Sequence, residues 1–437
     1  MKKFIRCFLP ALAGAFLLIA APAAGQAESN LEQDQSPPSI IRIAAMGDIM
    51  LGTENRLPSD GAAGAFAEVS PFLVDCQVVI GNLEGPLTDR GAPTKAVVEG
   101  QSYVFRSPPA YVERLRQAGF TVMSLANNHA GDYGPAGRAQ TREVLEAAGL
   151  LHTGAPSQVA RQMVGRTEVS IIGLAPNRGC QNLNNIEAAA DLVSREAARP
   201  GALVVVVFHG GAEGPGQINV PHGTERYLGE NRGDLRRLSR ALIDAGAHLV
   251  IGHGPHVPRG LEIYRDRLIA YSLGNFATGR GISVAGRTGL APLLLVEITT
   301  EGRLAGGRVL SFQQLEAGRP ALDPSGAAVT LMHSAGLADF AAPALDHEGR
   351  LMISEIEALA LAATSSRAQQ AARPTAPPPA VQPDPATETA ALTVPQETRV
   401  AKKAAEPAPS VRPALQAVEQ NAFRGYEWDV YSERSLK

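Results

Sequence analysis

Residues 203–208 read Leu-Val-Val-Val-Val-Phe, with valine at four successive positions. β-Branched side chains lose rotamer freedom in a helix and pack well on a pleated surface, so the run is a strand. A strand that is apolar on both faces has to be covered on both, as in a parallel sheet with other layers packed against it. Four more short apolar runs have the same character: Ile40–Met46, Gln77–Ile80, Thr121–Leu125 and Leu249–Ile251. Amphipathic helical stretches lie between the runs at Ala110–Ala118, Pro135–Ala148, Ile186–Ala198 and Leu235–Ala245. Gly119, Gly149 and Gly246 stand where these stretches stop, suited to a left-handed C-terminal cap. The alternation predicts an α/β layered fold.

Each apolar run breaks into a polar cluster. Ile40–Met46 leads into Gly47-Asp48, Gln77–Ile80 into Asn82 and Glu84, and Thr121–Leu125 into Asn127-Asn128-His129. Leu203–Phe208 leads into His209, and Leu249–Ile251 into His253-Gly254-Pro255-His256. The carboxyl ends of strands are where open α/β sheets bind ligands. One such cluster alone reads as a turn or a packed histidine. Turn chemistry calls on Gly, Pro, Asn, Asp and Ser, however, and has no reason to recruit four histidines. The donors are oxygen and nitrogen without sulfur, a set that suits zinc, manganese or iron. Two carboxylates, one amide and three imidazoles exceed the needs of a single tetrahedral site. The surplus favours a pair of divalent ions about 3.5–4 Å apart, as in two-metal hydrolases. The plainer alternative is one closed ion that braces the loops.

The two ends of the chain differ from its middle. Lys2, Lys3 and Arg6 precede the apolar run Ala11–Ala21, and small residues follow it, so residues 1–27 read as an export signal. Cleavage gives a periplasmic or secreted protein; retention gives one anchored in the membrane by its N-terminus. Residues 40–320 form the main domain and 321–364 a C-terminal extension of it, read as extra strands and a short helix. Residues 365–420 are a Pro/Ala-rich disordered linker. Residues 421–437 hold the only Trp of the chain and read as an aromatic peptide that docks on a protein partner or folds back. The 40 basic residues against 43 acidic ones leave a net charge of −3, which argues against nucleic acid as a partner. Three cysteines exclude a disulfide scaffold, and the pairing of Cys76 with Cys180 stays open.

The motifs Met46-Gly47-Asp48-Ile49-Met50-Leu51-Gly52, Gly81-Asn82-Leu83-Glu84-Gly85, Leu125-Ala126-Asn127-Asn128-His129, Ile251-Gly252-His253-Gly254-Pro255-His256 and Tyr271-Ser272-Leu273-Gly274-Asn275-Phe276 resemble, in this order, the CapA family. That family is named for capsule and poly-γ-glutamate synthesis and is similar to the calcineurin-like metallophosphoesterases. The resemblance covers about Ile40 to Thr300. It implies a four-layer α/β/β/α metallophosphatase-like sandwich with the site at one edge of the sheets. It also implies Asp48, Glu84, Asn128, His209, His253 and His256 as metal ligands and His129 as the group that contacts substrate. Asn82 or Glu84 stands where the phosphoesterases place a bridging Asp; Glu84 is assigned to the metal and Asn82 to substrate. Two departures from the phosphoesterases weaken the dinuclear expectation. Met50 stands where they usually place a histidine, two residues after the first Asp, and the closing pair is His-x-x-His instead of His-x-His.

The expected activity is hydrolysis of a phosphoester or amide in an anionic envelope polymer by a metal-bound hydroxide, with His129 as general acid. Arg259 and Arg280 are candidates for holding the anionic substrate, and Asn275 for hydrogen-bonding behind the ligands. The glycine-rich loop Gly210–Gly214 is either an anion nest or a flexible turn. His152, His222, His248, His333 and His347 are expected to be structural or exposed. The alternative to an enzyme is a non-catalytic assembly or export factor whose metal is structural or binds carboxylates.

Overall fold

The valine run forms the strand Ala202–His209, every residue of it buried. A computed structural model of the protein describes residues 40–353, apart from 54, 99–101, 280, 317 and 341. The predicted leader, the linker, the aromatic tail and Arg280 lie outside the described residues. Among the described residues no helix is long and apolar enough to cross a membrane.

Two seven-stranded sheets make up the body. The first runs, in spatial order, Leu304–Leu310, Leu293–Thr299, Ile40–Met50, Val78–Leu83, Val122–Ser124 and Leu151–Thr153, with Asn275–Thr278 pairing to the end of Ile40–Met50. The second runs Leu261–Tyr264, Arg267–Ala270, Leu249–His253, Ala202–His209, Thr167–Ala175 and Val159–Val164, with Gln181–Asn182 beside Thr167–Ala175. The middle strands of both sheets are parallel, whereas Leu293–Thr299 and Val159–Val164 pair antiparallel with their neighbours. Thr167–Ala175 is a central strand that the sequence analysis did not single out.

The alternation of side chains along a strand divides the valine run between two cores. Val205 and Val207 pack with Ile251 against Ile43, Val78 and Ile80 of the other sheet. Val204 and Val206 point the opposite way, onto Leu192 of helix Ile186–Ala197 and Leu238 and Leu242 of helix Leu235–Asp244. Leu115 of helix Val112–Ala118 and Leu145 of helix Gly134–Ala147 cover the outer face of the first sheet. The result is the expected helix–sheet–sheet–helix sandwich. Burying each such Val or Leu contributes about 1.5–3 kcal/mol relative to leaving it exposed. The end of the body is built from the ribbon Phe312–Glu316 and Arg319–Leu322 and from helix Ala327–Asp339.

Register then fixes the site. Asp48 lies level with Asn82 on one side and Asn275 on the other. In the second sheet His209 lies level with His253. Two rows of polar residues therefore end on the same edge of two sheets packed face to face.

Candidate metal centre

Asp48, Glu84 and His209 are fully buried, and one ligand atom from each lies within 4.8 Å of the others. Around them the side chains interlock. His253 Nδ1 is 3.2 Å from Asp48 Oδ1, and His256 Nδ1 is 3.0 Å from Asp48 Oδ2. His256 Nε2 faces Glu84 Oε1 at 3.6 Å, and His209 Nε2 faces the same oxygen at 4.0 Å. Asn275 accepts at 3.0 Å from His256 Nδ1, while its amide donates to the carbonyls of His256, Thr288 and Ser283. It fixes the His256 ring from behind. His256 itself has a positive φ of 60°, a conformation non-glycine residues rarely adopt.

Two close backbone approaches make this geometry possible. A Cβ on Gly254 (φ +115°) would lie 2.3 Å from the Gly210 carbonyl oxygen, so the His209 and His253 loops touch only because residue 254 is glycine. A Cβ on Gly47 would lie 2.2 Å from the Gly274 carbonyl oxygen, and the Asp48 N–H donates to that same oxygen.

The electrostatics are those of a cation site. Burial drives the Glu84 carboxyl well above its usual pKa, and the Asp48 charge adds to the effect. Burial also opposes ionisation of Asp48, but the adjoining His253 and His256 rings outweigh it and hold that carboxyl well below its usual range. Burial keeps His209 neutral, assisted by the Arg232 charge. His256 is pushed up to about 10: burial opposes its charge, but Glu84, Asp48 and Glu213 prevail. Both oxygens of Glu84, both ring nitrogens of His253, Nε2 of His209 and Oδ1 of Asn128 are buried without a hydrogen bond among the described residues. Buried polar atoms left in this state cost several kcal/mol in sum. A divalent ion is the ligand whose chemistry satisfies carboxylate, imidazole and amide oxygen together, so the residues fit the metal.

Asn82 is corrected. It is fully buried and donates at 2.8 Å to Asp48 Oδ1, sits 3.4 Å from His209 Nδ1 and accepts from Asn127 at 3.0 Å. With both ends of its amide engaged, it ties the ligands together and has nothing left for a substrate. Arg259 is corrected too. It is fully buried, bidentate to Glu225 at 2.9 and 2.7 Å, and its Nε donates to the Gln217 carbonyl. We expect Arg259→Ala to cost about 3–5 kcal/mol by stranding the buried Glu225 charge. A fall in the urea midpoint checks this; a raised KM at unchanged stability would instead indicate contact with substrate. The anion-nest alternative also fails. The N–H groups of Gly210, Gly211, Ala212 and Gly214 are spent on His253 O, Arg232 O, Glu225 Oε2 and Pro255 O. Cys76 and Cys180 are unpaired.

His129 is held apart from the ligand cluster. Its Nδ1 is 2.7 Å from Asp132 Oδ2, and Asp132 also receives Lys95 Nζ at 3.0 Å and the Phe105 N–H at 2.8 Å. The Phe105 ring stacks on the imidazole at 4.0 Å. Burial lowers the His129 pKa, against the pull of Asp132. With Nδ1 engaged, Nε2 is the ring atom left to meet a substrate. Asn127 builds this turn, its Oδ1 accepting from the N–H groups of His129 and Ala130.

Asp132, Lys95, Glu213 and Arg232 were missed in the sequence. Glu213 closes one side of the centre, 3.7 Å from His256 Nε2 and 2.9 Å from the buried Arg232. The His-x-x-Asp spacing of residues 129–132 was a visible signal. Arg232 carried none, because it sits among other charged residues of a polar ribbon.

The family model described as Bacterial capsule synthesis protein PGA_cap matches residues 42–280, a stretch that contains every ligand candidate. The capsule biosynthesis protein CapA of Bacillus anthracis is 28% identical over 303 residues, 64% of this chain and 69% of that one. The PGA biosynthesis protein CapA of Bacillus subtilis (strain 168) is 31% identical over 284 residues, 61% of this chain and 70% of that one. Among solved structures, a 5'-nucleotidase precursor from Thermus thermophilus aligns at 16% identity and a TM-score of 0.37, over 69% of this chain and 59% of that one.

Proposed function

This chain belongs to the PGA_cap family of bacterial capsule synthesis proteins, and from that premise we propose that it is a divalent-metal-dependent hydrolase acting on an anionic capsule- or polyglutamate-type envelope polymer, or on a phosphoester intermediate of one. The observation that carries the reading is Glu84, a fully buried carboxylate with neither oxygen hydrogen-bonded, facing histidines and a second carboxylate. Asp48, Glu84 and His209 would hold the ion, and His253, His256 and the Asn128 carbonyl would complete the donor set. A divalent ion in such a site polarises the scissile oxygen and lowers the pKa of water. His129, its Nδ1 held by Asp132, takes up a proton from the attacking water at Nε2 and passes it to the leaving group. Asn82 and Asn275 keep the ligands aligned. The leader read at residues 1–27 supports an envelope location for this chemistry.

The test begins by stripping the full chain with a chelator and reconstituting it with manganese, zinc or iron(II). Phosphoesters and γ-glutamyl amides are then screened. Turnover that appears only in a reconstituted sample is the expected result. A fully loaded protein that cleaves neither class contradicts the hydrolase reading and favours the assembly-factor alternative.

A further inference from the structure

A cleft of about 620 Å³ opens beside the centre, within the range of pockets that hold small ligands. It joins the site at two points. Phe105 is a wall of the cleft and stacks on His129 at 4.0 Å, and Ser283 lines the cleft while its carbonyl accepts from Asn275. Tyr103 lies nearly parallel to Phe105, at 24° with ring centroids 6.4 Å apart, so three rings form a row from half-exposed Tyr103 to buried His129. Val104 and Ile282 add apolar surface, and Asn55 and Ser283 add polar edges. Arg56 is the only charged residue among those described as lining the cleft.

From this lining we infer that the cleft binds a sugar ring carrying an anionic group, seated with its C–H face on Tyr103 and Phe105 and its anion at Arg56. A pyranose has an apolar face and a hydroxyl rim, which match an aromatic row edged by amide and hydroxyl groups. One guanidinium pairs with one carboxylate or phosphate. A run of γ-glutamyl units filling the same space has no ring to stack and brings one carboxylate per unit. Among the described residues that line the cleft, Arg56 alone would meet these charges. The inference rests on the hydrolase reading only in placing the scissile bond at His129; occupancy of the cleft needs no metal.

The experiment titrates the metal-stripped full chain with three probes: N-acetylglucosamine 1-phosphate, a glucuronic acid-containing disaccharide and a γ-glutamyl pentapeptide. Binding of the first identifies a sugar phosphate and binding of the second a uronate. In either case Tyr103→Ala and Arg56→Ala should each weaken the affinity about tenfold or more, the scale of one lost stacking or charge-assisted contact. Tyr103 is 38% exposed, so its replacement does not endanger the fold. The inference is overturned if neither sugar binds, if the pentapeptide binds more tightly than both, or if Tyr103→Ala changes nothing. Failure of the hydrolase reading looks different: sugar binding persists while the metal-loaded protein cleaves nothing.

Discussion

Asp48→Asn is expected to yield a folded protein that no longer holds a divalent ion. Asparagine keeps the size of the side chain, and its one amide oxygen can still accept from either Asn82 or His256, the donors Asp48 meets at 2.8 and 3.0 Å. It removes a carboxylate that His253 and His256 hold well below its usual pKa against the cost of burial. Replacing even a residue that supports a ligand typically costs 10–100-fold in metal affinity, so this loss should be about 100-fold or more. Thermal denaturation reads it independently of activity. A metal present at about 100 times its Kd stabilises a folded protein by about 2.7 kcal/mol. The wild type should therefore melt later when the ion is added, and Asp48→Asn should not. Equal shifts for the two proteins would place the ion elsewhere.

His129→Ala should separate chemistry from binding. The imidazole makes none of the contacts that join Asp48, Glu84, His209, His253 and His256, and its own partners are Asp132 and Phe105. Bound metal should be unchanged, while kcat falls by about 10²–10⁴-fold, the usual contribution of a positioned proton-transfer group. Asp132→Asn, which releases the ring from its carboxylate, should lower kcat by a smaller factor. If polymer production and turnover both survive His129→Ala, the site does not perform acid–base chemistry, and the assembly-factor alternative gains.

How far the sequence carries these conclusions differs from element to element. The valines at 204–207 announce a doubly covered strand because local sterics and burial agree, and the histidine after them inherits its place at the sheet edge. The same logic locates Asp48 and the His253–His256 pair. What no local pattern could supply is which sheet each strand joins, since every apolar run reads alike until pairing is known. Thr167–Ala175 shows this: it holds the second sheet together and carries no site residue to draw notice. Arginines are the other blind spot. Arg259 sits directly after the histidine loop yet spends its charge on Glu225, 34 positions earlier in the chain. Arg232, in an ordinary polar ribbon, is instead the cation beside Glu213 and His209. Pairing of charges is a tertiary fact. The glycine loop at 210–214 was ambiguous for the same reason, because its N–H groups are consumed by segments remote in sequence.

The most direct test is elemental analysis of the gently purified full chain, wild type and His253→Ala side by side. The account predicts one or two equivalents of a divalent ion in the wild type and a clear loss in the variant, since both buried ring nitrogens of His253 have no hydrogen-bond partner among the described residues. A wild-type protein that carries no metal and takes none up on reconstitution would contradict it.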